Sequence, residues 1–239
     1  MKPQFSEDEY SSIIIHEHIN KYPDTIFYKP TPKAEKKLGY DAALSKEKGW
    51  PLFCQFKVSE YLNGGGKEYA LMGGPYFRFH TYGDEPEGNS FGNQYNVLRR
   101  LSLAIQRPSV FYVAPLFYKR ADLDEYRRHN ITIENSRFID LAALKNLDTS
   151  KIHSICYDKS DKVVICSEPM IIEKGSFGWS VERLGQPMTY SDFANVIVEH
   201  SQSILGGDFA PSEDSFDTLH RFLKEMDQRG SKFLWIKDK

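Results

Sequence analysis

Leu52-Phe53-Cys54-Gln55-Phe56-Lys57-Val58, preceded by Gly39-Tyr40-Asp41, is the stretch that decides how this chain is read. The run is apolar apart from Gln55 and Lys57, which stand two positions apart. In an extended strand they therefore point to the same sheet face, while Phe56 and Val58 point to the other. A lysine between apolar neighbours needs a reason, because desolvating an ammonium is costly. Asp41 lies fourteen positions before Gln55 (55 − 41). Two strands over 40–44 and 52–58, joined by the polar turn Ser45–Gly49, form a hairpin that brings the three side chains together.

That trio suits phosphodiester hydrolysis. A carboxylate and an amide carbonyl are hard oxygen ligands of the kind Mg²⁺ or Mn²⁺ takes. A bound metal of this type activates water and offsets charge on a scissile phosphate. An adjacent ammonium can orient the water or stabilise the transition state.

Working outward, Ser6 followed by Glu9 is a capping box that opens a helix. Tyr10, Ile13, Ile14 and Glu17 fall on one face of it, and Pro23 ends it. Glu17 either sits at the edge of that stripe and reaches solvent or serves a site. A short strand over 25–28 follows, then a basic segment with Lys29, Lys33, Lys36 and Lys37. Its prolines make it a loop, and its lysines are placed to meet phosphates. Glu35 within it can ligate a metal or pair with Lys33 or Lys37. Gly64–Gly66 and Gly73–Pro75 read as turns. The segment Tyr76 to Tyr82 alternates as a strand that presents Tyr76, Arg78, His80 and Tyr82 on one side. A helix over 93–105, a buried strand over 110–116 and a short charged helix over 123–129 come next. The second half predicts strands at 152–157, 163–166 and 232–237 and helices at 191–205 and 214–229.

The order of elements and the Asp41…Gln55-x-Lys57 spacing resemble the PD-(D/E)XK nuclease superfamily, in its Mrr-type Gln-x-Lys variant. The resemblance covers about residues 6–117. It implies an α/β fold, a restriction-endonuclease-like mixed sheet flanked by helices. Residues 1–117 would be the nuclease-like core. Residues 118–239 would be a C-terminal α+β extension, either separate or part of the same domain. It further implies a catalytic set of Asp41, Gln55, Lys57 and Glu17, with Asp41, Gln55 and Glu17 on the metal. Lys33, Lys36, Lys37, Gln94 and Arg78 become candidates for substrate contact, since the helix after the hairpins often carries a glutamine near the site. The expected function is a metal-dependent nuclease on DNA, in restriction or antiphage defence, with a homodimer or a defence-system protein as partner. The alternative is a catalytically inactive fold of this type that binds nucleic acid or protein. The sequence departs from the pattern in lacking a proline before Asp41.

Composition leaves these readings open. The chain of 239 residues is 40% hydrophobic and 27% charged, enough for a full core. Its 31 basic residues against 33 acidic ones give a net charge of −2, so nucleic-acid contact must come from local clusters. Met1-Lys2-Pro3 leads into Glu7-Asp8-Glu9 without a secretory apolar stretch, and no apolar run approaches a membrane span, which predicts a cytoplasmic protein. Cys54, Cys156 and Cys166 lack CxxC spacing and have apolar neighbours, so they read as buried reduced thiols rather than structural zinc ligands. Neither GxSxG nor HExxH occurs.

Overall fold

The computed structural model describes residues 1–27, 46–81, 94–107, 109–144, 147, 152–172, 176–177, 184–206 and 209–238. Asp41, the loop lysines Lys33, Lys36 and Lys37, and Glu35 lie outside the described residues. Among the described residues the chain is mixed α/β, with six α-helices and two sheets of seven and five strands.

The helices are α1 (Glu7–Lys21), α2 (Gly66–Met72), α3 (Gln94–Ile105), α4 (Arg120–His129), α5 (Tyr190–Leu205) and α6 (Ser215–Gln228). Side-chain caps start three of them as expected. Ser6 accepts from Glu9 N at 3.1 Å, Thr189 from Asp192 N at 3.0 Å, and Asp214 from Phe216 N at 2.9 Å. None of the helices is long and apolar enough to cross a membrane.

The larger sheet is mixed. Its strands are β1 (Ile26–Phe27), β2 (Lys48–Phe56), β5 (Val110–Pro115), β6 (Ser136–Asp140), β10 (Ser176–Phe177), β11 (Met188–Thr189) and β12 (Ser231–Lys237). The order is β1-β12-β2-β5-β6-β10, with β11 pairing on β2. β2 and β5 are parallel, with Gln55 opposite Tyr112, and α3 lies in the connection between them. β12 runs antiparallel along nearly the whole of β2, with Ser231 opposite Gln55 and Lys237 opposite Gly49. A Cβ on Gly49 would run into the Ile236 carbonyl and the Trp235 indole, so the close pairing there requires glycine.

This arrangement places residues after 117 inside the main sheet. The described neighbour of β2 on its outer side is β12, rather than a strand over 40–44. The second half therefore completes the same sheet that carries Gln55.

The smaller sheet holds β3 (Glu60–Leu62), β4 (Tyr76–Thr81), β7 (His153–Tyr157), β8 (Val163–Ile165) and β9 (Met170–Ile171), in the order β3-β4-β7-β8-β9. It is inserted, through β3 and β4, into the connection between β2 and β5. α2 sits between the two glycine segments that read as turns, a helix that the sequence reading did not expect. Gly73 stops it in the left-handed region with φ 77°.

Two apolar layers flank the large sheet. On one face α1 packs Tyr10, Ile13 and Ile14 against Leu52, Cys54, Phe56, Phe111 and Val113. On the other, α3, α5, α6 and the small sheet pack against Phe53, Tyr112, Ala114, Phe233 and Trp235. Phe53 lies between Phe193 and Phe233, with ring centroids 6.1 and 4.8 Å away. Alternation along β2 then puts Gln55 on the Phe53 face.

Candidate functional site

Gln55 is the penultimate residue of β2 and only 2% exposed. Its neighbours across the sheet are Tyr112 on β5 and Ser231 on β12. Its amide nitrogen has a 3.5 Å contact to the Phe56 carbonyl, at the outer limit of a hydrogen bond. Its Oε1 is buried and has no hydrogen-bond partner. Ser231 Oγ, beside it on β12, is likewise buried and unpartnered. Buried acceptors are nearly always paired, so an empty one in a strand this well packed calls for an explanation.

Gln94 is the first residue of α3, and its amide donates to the Arg229 carbonyl. A Cβ on Gly230 would lie 3.4 Å from Gln94 Nε2 and 3.6 Å from Gln55 Nε2. Gly230, with φ +79°, thus supplies the bare backbone over which the two amides approach. Gln55 and Gln94 both approach the turn at Gly230, which the sequence reading had not connected with them.

Lys57 follows the end of β2 and is half-buried. Its backbone N–H donates to the Val113 carbonyl at 3.0 Å, which keeps it in register beside β5. Its Nζ lies 6.0 Å from the centroid of the Tyr112 ring, on the face that carries Gln55. Burial holds its ammonium below the ordinary lysine range, and Glu7 acts in the opposite sense. Glu7, in turn, is raised above the usual carboxylate range by burial, an effect that Lys57 partly offsets. The α1 carboxylate that faces Lys57 is therefore Glu7. The sequence hid it in the acidic first turn Glu7-Asp8-Glu9, where carboxylates serve the helix dipole and carry no mark of a site.

Glu17, expected on the metal, is a correction. It lies in α1, on the sheet face opposite Gln55, and is 4% exposed. Its Oε2 accepts from Thr132 N at 2.8 Å and its Oε1 from Ile133 N at 3.1 Å. Both oxygens accept from the backbone of the turn before β6, which is why a carboxylate can be buried there.

Arg78, expected at the substrate, is a second correction. Phe77 and Phe79 of β4 enter the core between the sheets, so Arg78 points to the outer face of the small sheet. There it donates to Glu68 Oε2 at 2.8 Å and to Glu60 Oε2 at 3.0 Å, and Tyr76 Oη also donates to Glu68 Oε2, at 2.8 Å. His80 on the same face is 3.1 Å from Ser154 Oγ. This polar face is engaged with itself and turned away from Gln55 and Lys57.

The cysteines are free, with Cys54 and Cys156 buried and Cys166 half-buried. Burial holds the Cys54 thiol well above its usual range, so it is inert as a nucleophile.

Comparison with protein-family models, with curated proteins and with solved structures finds no match to this chain.

Proposed function

We propose that this chain is a metal-dependent nuclease of the PD-(D/E)XK type that hydrolyses phosphodiester bonds, with DNA as its substrate. The observation that carries the proposal is the buried, unpartnered Oε1 of Gln55 on the same face as a desolvated Lys57. It stands at the end of a strand joined to its parallel neighbour through a helix.

Among the described residues the fit to Mg²⁺ or Mn²⁺ rests on Gln55 Oε1, a hard oxygen with an empty acceptor; Asp41 is its carboxylate counterpart in the proposal. When bound, the ion would activate water and neutralise charge on the phosphate. The chain's own groups do the rest. Gln55 offers its carbonyl from a rigid strand. Gln94 ties the start of α3 to Arg229 and so fixes the turn at Gly230 that borders Gln55. Lys57 supplies a compact positive charge whose hydration is already largely removed, which strengthens its effect on a developing anion. The Glu7 charge partly offsets the effect of burial on that ammonium. Lys33, Lys36 and Lys37 contact phosphates along the duplex. The proposed setting is restriction or antiphage defence, with two copies acting on the two strands.

The test is cleavage of DNA and RNA with EDTA and with several divalent metals. EDTA should abolish cleavage, and Mg²⁺ or Mn²⁺ should restore it, while Asp41→Ala should fold and fail to cut. Full activity in EDTA would sink the metal mechanism. Salt-sensitive DNA binding without cleavage under any metal would identify a non-catalytic binding module instead. Neutralising the three loop lysines should weaken binding across sequences and flatten its salt dependence.

A further inference from the structure

A different group of ligating atoms lies on the outer face of the small sheet, under α2. The Sγ atoms of Cys156 and Cys166 and a carboxylate oxygen of Glu68 all lie within 4.8 Å of one another. Three separate segments supply them. Cys156 is on β7, Cys166 follows β8 and is anchored by its N–H donating to the Ser154 carbonyl at 2.8 Å, and Glu68 reaches down from α2.

We propose that Glu68, Cys156 and Cys166 form a binding site for a zinc-class divalent cation that braces α2 against the small sheet. The donor set suits a borderline-soft ion. Two thiolates and one carboxylate with a fourth position left for water is a recurrent zinc arrangement. Tetrahedral coordination with Zn–S of about 2.3 Å puts the two sulfurs about 3.8 Å apart, a spacing within the 4.8 Å that bounds this group. The helix that carries Glu68 can adjust its reach. α2 is seven residues long, Met72 is its only buried residue, and it hangs from Gly64, Gly65 and Gly66, around which a Cβ would meet nothing within 4 Å.

The surroundings also suit a cation. Tyr76 Oη and Arg78 Nη1 both donate to Glu68 Oε2, which leaves Oε1 to ligate. They become the outer hydrogen bonds that orient a ligating carboxylate. Charge balances as well. Without metal, Glu60 and Glu68 against Arg78 sum to −1 (−2 + 1). Binding one divalent ion releases the two thiol protons and forms two metal–thiolate bonds, giving −1 again (−2 − 2 + 1 + 2). No oxidant or reductant enters the step. The site is distinct from the Gln55 centre, since β4 turns Phe77 and Phe79 toward the core and Arg78 away from it.

The sequence argued against zinc because Cys156 and Cys166 lack CxxC spacing. The strand pairing supplies the proximity instead: Cys156 lies opposite Val164, two positions before Cys166 on the same face.

The test is a titration of the reduced, metal-free full chain with Co²⁺, read by absorption. The expected result is a sulfur-to-cobalt charge-transfer band that saturates at one ion per chain and disappears when Zn²⁺ is added. It should be lost in Cys156→Ser/Cys166→Ser and kept in Cys54→Ser. Glu68→Gln should keep the band and require more Co²⁺ to reach it. Should the double variant fail to fold, thiol labelling of the parent decides: Zn²⁺ should protect two thiols and raise the thermal unfolding midpoint. Absence of a sulfur band, its survival without both cysteines, its loss in Cys54→Ser, or a Glu68→Gln titration identical to the parent's would each overturn the site. So would closure of Cys156 and Cys166 into a disulfide in a chain that takes up no metal.

Discussion

Glu17 and Gln55 lie on opposite faces of the large sheet and are buried in opposite ways. On the α1 face, Glu17 is 4% exposed, and each carboxylate oxygen accepts a backbone N–H. On the α3 face, Gln55 is 2% exposed, and its Oε1 accepts nothing. Glu17 holds the backbone together, and the environment repays its burial in full. Gln55 keeps an acceptor empty in a packed strand, next to a second unpartnered oxygen on Ser231 and a lysine stripped of much of its water. Bonds to backbone account for the burial of Glu17, and the empty acceptor of Gln55 is the observation on which the proposed metal site rests.

The largest effect that can break this comparison is on stability. Glu17→Ala orphans two buried donors at about 1–3 kcal/mol each. Urea unfolding should show that loss, while cleavage per folded molecule stays at the parent level. A variant as stable as the parent would mean that Glu17 is not the anchor described.

Next comes Lys57→Ala, which should slow cleavage about 10²–10³-fold, as removing one preorganised electrostatic group does. Its unfolding midpoint should hold or rise, because a desolvated charge is gone. Lys57→Arg should not restore the rate, since a planar guanidinium does not replace a compact ammonium. A Lys57→Ala protein that folds, binds and cuts normally would reduce Gln55 and Lys57 to ordinary strand residues.

The third test sharpens the α1 face through pH. His18, close to the Tyr22 ring, is lowered to about 4, by burial first and then by Lys21. The unfolded chain binds the proton near 6.5, so the neutral imidazole adds stability above that pH. That contribution, on the order of 3 kcal/mol, is lost as pH falls from 6.5 through 4. His18→Phe should flatten this part of the stability profile, and an unaltered profile would show that another group governs acid unfolding.

The smallest expected effect is that of Gly230→Ala. The left-handed backbone costs a Cβ about 1 kcal/mol, and the new methyl meets Gln94 and Gln55 at van der Waals contact. Cleavage should fall less than in Lys57→Ala, with a slightly lower midpoint. An effect on stability alone would separate the turn from the site.

Local order was largely legible in the chain. The Ser6 cap, the α3 stripe of Tyr95, Leu98, Leu101 and Ile105, and the apolar run of β5 each carry their signal within a few residues. What could not be read was which distant segments meet. Nothing local to Ser231–Lys237 says that it will pair with β2, and β6 was missed because Ser136-Arg137 opens it with polar residues. The site followed the same division. Gln55, Lys57 and Gln94 were singled out as candidates by spacing and element order. Glu7 was masked by a helix-capping role that acidic residues share in every first turn. Glu17 was misjudged because a helical wheel shows burial but not the backbone amides waiting on the other side.

The pairing of β12 with β2 also dictates when the molecule can become whole. Ser231 and Gln55 are 176 positions apart (231 − 55), so the ladder beside Gln55 closes a very long loop. Non-local closures of this kind slow folding. Until β12 arrives, Leu52 to Phe56 lies open along one side of β2, an apolar edge able to recruit the wrong strand. Refolding should therefore show a late, concentration-sensitive phase, and the burial of Gln55 should be complete no earlier than that of Trp235. Any chaperone dependence of this chain belongs to that interval, before its most distant strands have found each other.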